Sequence, residues 1–216
     1  MIKPKQLFLF LFLSLIASIS MGQTYIGAFA GLNMSKLAGD VPAYAKYKSS
    51  MGMNAGITID VKLAESLYLS LQPSYSQEGT KVSYSLPGYE EPVDSIKFRL
   101  NYFSLPVLLK VTSTNKRFYG IAGIETALLL NNTVTVEDQK EEIGENIAQW
   151  NLAMHFGAGI HIPVGFPRLF VEVRYTQGLL NLTDEPLDGE HIIPRVKTSG
   201  LKIIAGVQIP LKKSKE

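Results

Sequence analysis

The chain has 216 residues, 46% of them hydrophobic, and a formal net charge of +2 at pH 7. That length fits one domain of ordinary size, and the charge lacks the basic excess expected of a protein that binds nucleic acid. Cysteine is absent, which excludes a lipid-anchored lipoprotein, a disulfide framework and a zinc site built on thiolates.

Residues 1–22 have the layout of a secretory signal peptide. Two lysines precede an apolar run at 7–19 that only two serines interrupt, and small residues follow, so cleavage is expected before Gln23. The run is shorter than the roughly 20 residues that a membrane-spanning helix needs. We therefore expect an exported protein with a folded part at 23–211 and a charged C-terminal tail at 212–216. Without the two signal lysines, 19 basic residues balance 19 acidic ones.

Eight segments alternate between apolar and polar side chains, as strands with one apolar and one polar face do. In chain order they are predicted at 24–34, 50–62, 67–78, 96–111, 117–130, 149–162, 168–180 and 198–210. The second is the clearest, because every odd position from Met51 to Val61 is apolar. The fourth changes the phase of its alternation near Tyr102 and Phe103, which predicts a β-bulge there.

The connections between these segments alternate in length. Three are short, at 63–66, 113–116 and 164–167, and four are long, near 35–49, 79–95, 131–147 and 181–197. An even number of strands with short turns at one end and long loops at the other is typical of bacterial outer-membrane barrels. The sequence therefore predicts an all-β fold, an eight-stranded antiparallel transmembrane β-barrel with short periplasmic turns and long extracellular loops.

Four short motifs carry a resemblance to a known family. They are 31–35 (GLNMS), 102–110 (YFSLPVLLK), 174–179 (RYTQGL) and 206–211 (GVQIPL). In their order and spacing they resemble the PorT-like outer-membrane β-barrel domain family of Bacteroidetes, over essentially all of 23–211. The resemblance implies an eight-stranded barrel in the outer membrane of a Gram-negative cell envelope, usually without an assigned activity.

Charged side chains within the predicted strands are the candidate functional residues. On the predicted register the lumen side carries Asp60, Lys110, His155, Glu172, Arg174 and Lys202. An eight-stranded barrel is only just wide enough to hold its own side chains, and buried charges need partners. We therefore expect a structural polar network that plugs the lumen, rather than a channel or a catalytic site. The sequence leaves open whether His155 meets Glu172 or Arg174.

No metal ion or cofactor is predicted. His155 and His161 share a face but lie about 20 Å apart along one strand at 3.3 Å per residue, too far to bind one ion. The acidic run around Lys140 is expected to be a solvated loop, and its spacing matches no calcium-binding pattern.

Aromatic residues near strand ends are expected in the girdles that flank the lipid-facing surface. They are Tyr68, Tyr75, Tyr84, Tyr102, Phe103, Tyr119, Trp150, Phe166 and Tyr175.

The sequence thus favours a non-enzymatic outer-membrane protein that is structural or serves docking or secretion. Its expected partners are outer-membrane lipid and, through the long loops, other envelope or secretion proteins, with no nucleic acid. Two alternatives stay open: a barrel enzyme, hydrolytic or lipid-modifying, with a site at the extracellular loop rim, and a lipocalin-like barrel that binds a small ligand inside. The lipocalin-like alternative requires the apolar face to point inward.

Overall fold

A computed structural model of the chain describes residues 24–39, 44–84, 93–136, 139–141, 148–182 and 196–211. The predicted signal peptide, the charged tail and the acidic run around Lys140 lie mostly or wholly outside the described residues. The described part contains no helix with the length and apolar character needed to cross a membrane.

The described residues form a closed antiparallel sheet. Its strands are β1 (Thr24–Gly39), β2 (Ala45–Lys62), β3 (Leu67–Leu71), β4 (Ser74–Tyr84), β5 (Val93–Thr112), β6 (Phe118–Val136), β7 (Gln139–Glu141), β8 (Trp150–Ile162), β9 (Arg168–Gly178) and β10 (Val196–Pro210). The ring closes because β1 pairs with both β2 and β10. β3 and β4 together form the third strand of the barrel, and the short β7 pairs only with the end of β6. The barrel therefore has eight strands, which confirms the predicted fold.

A proline interrupts the third strand of the barrel at Gln72 and Pro73. Pro73 has no N–H to donate to a ladder, so β3 ends before it and β4 begins after it. The two halves stay attached to their neighbours, because the Pro73 carbonyl accepts a 3.1 Å bond from the Ile57 amide and the Gln72 amide donates a 3.1 Å bond to the Pro106 carbonyl.

The apolar faces of the strands point outward. Ile57 is 45% exposed and its neighbour Thr58 is 0% exposed, and the outward row Leu105, Val107 and Leu109 on β5 is exposed in the same way. This orientation gives the barrel a band for lipid and is the reverse of the lipocalin-like alternative.

The predicted bulge near Tyr102 and Phe103 is confirmed in position, but the extra residue is not in 96–111. Even positions of β5 point inward without interruption, and Leu100, Tyr102 and Leu108 are all buried. The extra residue lies in the facing strand, because Asn101 pairs with Asn131 and Tyr102 with Leu129, which leaves Leu130 unpaired. The sequence pattern changes in β5 because the surroundings change: toward the loop end the inward positions become apolar and the outward positions become charged.

The strands run further into the predicted long loops than expected. The first connection shrinks to 40–44, because β1 continues to Gly39 and β2 begins at Ala45. Near this end the ladder between β2 and β4 shifts between Ser49 and Asn54. The Ser35 hydroxyl of β1 bridges the shift, since it accepts a 2.7 Å bond from the Gly79 amide and donates a 3.0 Å bond to the Gly79 carbonyl.

The aromatic girdle prediction is right for some residues and wrong for others. Five of the nine face outward: Tyr75, Phe103, Trp150, Phe166 and Tyr175. Tyr68, Tyr102 and Tyr119 are buried inside the barrel, where Tyr102 packs against Leu100, Ala127 and Leu182. The Tyr84 side chain lies outside the described part. Alternation shows that two aromatics share a face, but not which face meets lipid.

Candidate functional site

The lumen holds all six charged or ionisable residues singled out from the sequence. They come from five strands: Asp60 on β2, Lys110 on β5, His155 on β8, Glu172 and Arg174 on β9, and Lys202 on β10. Each is 2% exposed or less. The period-two geometry of a strand sends these positions inward.

Asp60 is the centre of the network near the turn end. One carboxylate oxygen accepts bonds from Lys110 Nζ at 2.6 Å and Gln208 Nε2 at 2.9 Å. The other accepts from the hydroxyls of Ser70 at 2.5 Å and Thr58 at 3.1 Å. Four donors on one buried carboxylate compensate the loss of water around it.

Arg174 connects β9, on the opposite side of the barrel, to the network around Asp60. It forms an ion pair with Glu172, two residues away on the same face of β9, and its Nη2 donates a 2.7 Å bond to Gln72 Oε1. The side-chain amide of Gln72 in turn donates a 3.1 Å bond from its Nε2 to the Ser70 hydroxyl. The Asp60 and Glu172 groups therefore belong to one hydrogen-bonded chain across the lumen.

A second network lies nearer the loop end and contains two acids that the sequence analysis missed. Lys202 Nζ lies 3.2 Å from Glu125 and 3.7 Å from Glu78. The imidazole of His155 lies 3.1 Å from the same Glu125 oxygen, so His155 meets neither Glu172 nor Arg174. The sequence did place Glu78 in the predicted strand 67–78 and Glu125 in the predicted strand 117–130, which could have identified both as lumen candidates. The alternation in 117–130 is too weak to show that Glu125 points inward.

Thr176, His155 and Glu125 are connected like a nucleophile, base and orienting acid. The Thr176 hydroxyl lies 3.1 Å from His155 Nδ1, and Glu125 contacts the other ring nitrogen. Hydrolytic triads use this order of contacts. All three side chains are buried to 3% exposure or less, whereas a hydrolase needs a nucleophile that substrate can reach. The three side chains form a polar contact between β6, β8 and β9.

Cations and aromatic rings fill the lumen at the turn end. The Lys110 ammonium lies 4.8 Å from the Tyr119 ring centroid. The His161 ring stacks on the same Tyr119 ring, with 4.5 Å between the ring centroids. Arg168 covers the Tyr25 ring at 4.2 Å. Cation–π contacts of this kind stabilise a buried charge beside its ion pair. Among the described side chains, no group of three His, Asp or Glu residues is arranged to hold a metal ion.

Comparison with known families agrees with this architecture. Residues 20–184 match the family model described as "Outer membrane protein beta-barrel domain". The chain belongs to this family. Membership implies that the barrel lies in the outer membrane, where its exposed apolar band faces lipid.

Several solved structures are similar to the chain, at low identity. Ail, the attachment invasion locus protein of Yersinia pestis, is 17% identical with a TM-score of 0.43, over 87% of this chain and 99% of that one. Neisserial surface protein A is 12% identical with a TM-score of 0.48, over 85% and 96%. OprG from Pseudomonas aeruginosa is 14% identical with a TM-score of 0.42, over 87% and 96%. No curated protein sequence matches the chain.

Proposed function

We propose that the protein is an exported, PorT-like, non-enzymatic outer-membrane barrel with a structural or docking role. Its lumen is a closed polar core, and the connections at its loop end contact other envelope or secretion proteins. The observation that carries the proposal is the pairing inside the lumen, where Lys110, Arg174 and Lys202 each contact a buried carboxylate.

The chemistry of the lumen supports a structural role. Unpaired charges would attract water and ions, whereas charges paired across the lumen hold the walls together and occupy the space between them. Apolar packing adds to this closure, since Phe29, Phe170 and Ile204 meet inside the barrel.

Among the described residues, the enzymatic alternative finds support only in the contacts of Thr176, His155 and Glu125. Their burial argues against turnover, because water and substrate must both reach a hydrolytic centre. The acidic loop residues on which a rim site would depend lie largely outside the described part of the chain.

Complementation of a strain that lacks the protein tests the proposal. Glu125→Gln and His155→Gln should support the envelope phenotype in proportion to barrel abundance, since neither residue is proposed to turn over substrate. Replacing 183–195 with a Gly-Ser segment of equal length should lose the phenotype at normal abundance. A well-assembled, abundant Glu125→Gln variant without function, beside a functional loop variant, would favour the enzyme.

A further inference from the structure

Three lysines stand side by side on the outer surface of the barrel near its loop end. Lys48 of β2 pairs directly with Lys81 of β4, and Lys81 pairs directly with Lys97 of β5. Lys48 and Lys97 are exposed and Lys81 is partly exposed. We call Lys48, Lys81 and Lys97 the basic row.

The basic row places like charges where a sheet tolerates them least. Directly opposed side chains on antiparallel strands have Cβ atoms about 5 Å apart, and like charges there are destabilising. Other exposed basic side chains lie on the same end of the barrel: Lys36, Lys46, Arg99 and Lys197.

The acids of the loop half whose side chains the structure describes do not offset the basic row. Glu78 and Glu125 are both buried in the lumen with Lys202. The ion pairs among the described side chains all lie in the lumen. Among the described side chains, this part of the outer surface therefore carries a local positive charge that an external anion would stabilise.

The position of the basic row along the barrel axis, relative to the apolar band, indicates where such an anion would lie. Along the outward face of β5, the apolar residues end at Phe103, Asn101 follows, and Arg99 and Lys97 come next. Asn101 belongs to a polar contact with Tyr75, whose hydroxyl donates a 2.9 Å bond to it. Tyrosines and amides at this level mark the membrane interface.

The basic row lies just beyond that interface. Lys97 is six positions from Phe103, about 20 Å along a strand and about 15 Å along the membrane normal at a 40° tilt. Lysine side chains extend several ångströms and bend toward polar headgroups while their stems stay on the barrel wall. The ammonium groups are therefore within reach of headgroup phosphates and of phosphates attached to lipid-borne sugars.

We propose that the basic row binds the phosphate groups of a phosphorylated glycolipid in the outer leaflet. The charge is complementary, the row is continuous with the lipid-facing band, and the binding relieves the repulsion among the three ammonium groups. This role is separate from the closed lumen and requires only that the loop end faces outward.

The test uses the full barrel in zwitterionic micelles, with unfolding followed by fluorescence of its single tryptophan, Trp150. Bisphosphorylated lipid A is titrated against the same lipid without phosphates. The phosphorylated lipid should raise the unfolding temperature of the wild type, because a ligand of the folded state stabilises it. The variant Lys48→Gln, Lys81→Gln, Lys97→Gln should bind on the order of 100-fold more weakly, at roughly fivefold per basic residue.

A matched control removes three positive charges at the opposite end: Lys62→Gln, Lys116→Gln and Arg117→Gln. It should respond to the phosphorylated lipid like the wild type. Without that lipid, the basic-row variant should be at least as stable as the wild type, since it has lost the repulsion. The proposal is overturned if the basic-row variant keeps the full response, if phosphate-free lipid A acts equally, or if a soluble polyphosphate acts as strongly as the lipid.

Discussion

The charged residues buried in the lumen lie beside groups of opposite charge, and Lys202 is shared between Glu78 and Glu125. Four acids and three bases are fully buried: Asp60, Glu78, Glu125, Glu172, Lys110, Arg174 and Lys202. A buried ion pair adds little net stability against an apolar replacement, but removal of one member leaves an uncompensated charge. Single substitutions here should therefore be far more costly than paired ones.

Lys110→Met should lower the free energy of unfolding by about 3–5 kcal/mol, because Asp60 keeps its charge without the ammonium group. Urea unfolding in micelles measures the change. Combining it with Asp60→Asn should recover part of the loss, since the amide needs no counter-charge. Arg117→Met, at an exposed position of a turn, is the control and should cost less than about 0.5 kcal/mol. Equal costs for Lys110→Met and Arg117→Met would contradict the assigned pairing.

The Ser35 hydroxyl provides a second residue-scale prediction. It makes two bonds to Gly79, so Ser35→Ala should destabilise the barrel by about 1–2 kcal/mol and speed hydrogen exchange of the Gly79 amide. Ser104→Ala is a matched control, because that buried hydroxyl has no hydrogen-bond partner among the described residues. If the Gly79 amide exchanges no faster in Ser35→Ala than in Ser104→Ala, the bridge is unimportant.

Alternation in the sequence shows which face of a strand points inward only where the strand has lipid on one side and the polar lumen on the other. In the lipid band, alternation identified the faces of β2, β8, β9 and β10, since lipid outside and a polar network inside impose a strict period of two. Beyond the band, Lys97 and Arg99 lie outward and Leu100 lies inward, so the pattern inverts without an extra residue in β5.

The lumen contacts were only partly predictable for a related reason. Alternation gave the inward direction of Asp60, Lys110, Glu172, Arg174 and Lys202, but the choice of partner depends on register and stagger between distant strands. His155 meets Glu125 because β8 pairs with β6 and places Ala153 opposite Glu125. Nothing local to 149–162 encodes that register.

The lipid-facing surface of β8 makes a prediction at the scale of an element. Phe156 points outward within the apolar band, so Phe156→Arg should cost about 2–4 kcal/mol of folding free energy in bilayers. Gln149→Arg changes an exposed position just before the same strand and should be nearly neutral. Refolding yields into vesicles, scored by heat-modifiable gel mobility, measure both. Equal yields would mean that this face of β8 does not meet lipid.

Orientation is a property of the whole molecule. The three short turns, at 63–66, 113–117 and 163–167, lie at one end of the barrel, and three of the four connections at the other end, at 85–92, 137–149 and 179–195, are longer. An epitope inserted near Lys140 should therefore be reachable by antibody on intact cells, and one inserted near Asn115 should become reachable only after the outer membrane is broken. Labelling of the Asn115 epitope alone on intact cells would reverse the assigned topology.

The eight strands of the barrel enclose a lumen that its own side chains fill. Ion conductance of the wild-type barrel in a planar bilayer tests this filling most directly, with a sixteen-stranded porin inserted from the same detergent as the conducting control. Because the charges around Asp60, Arg174 and Glu125 are paired across a narrow lumen, we expect small, rare or no conductance steps after insertion is verified. Sustained, regular steps in most insertions would contradict the account.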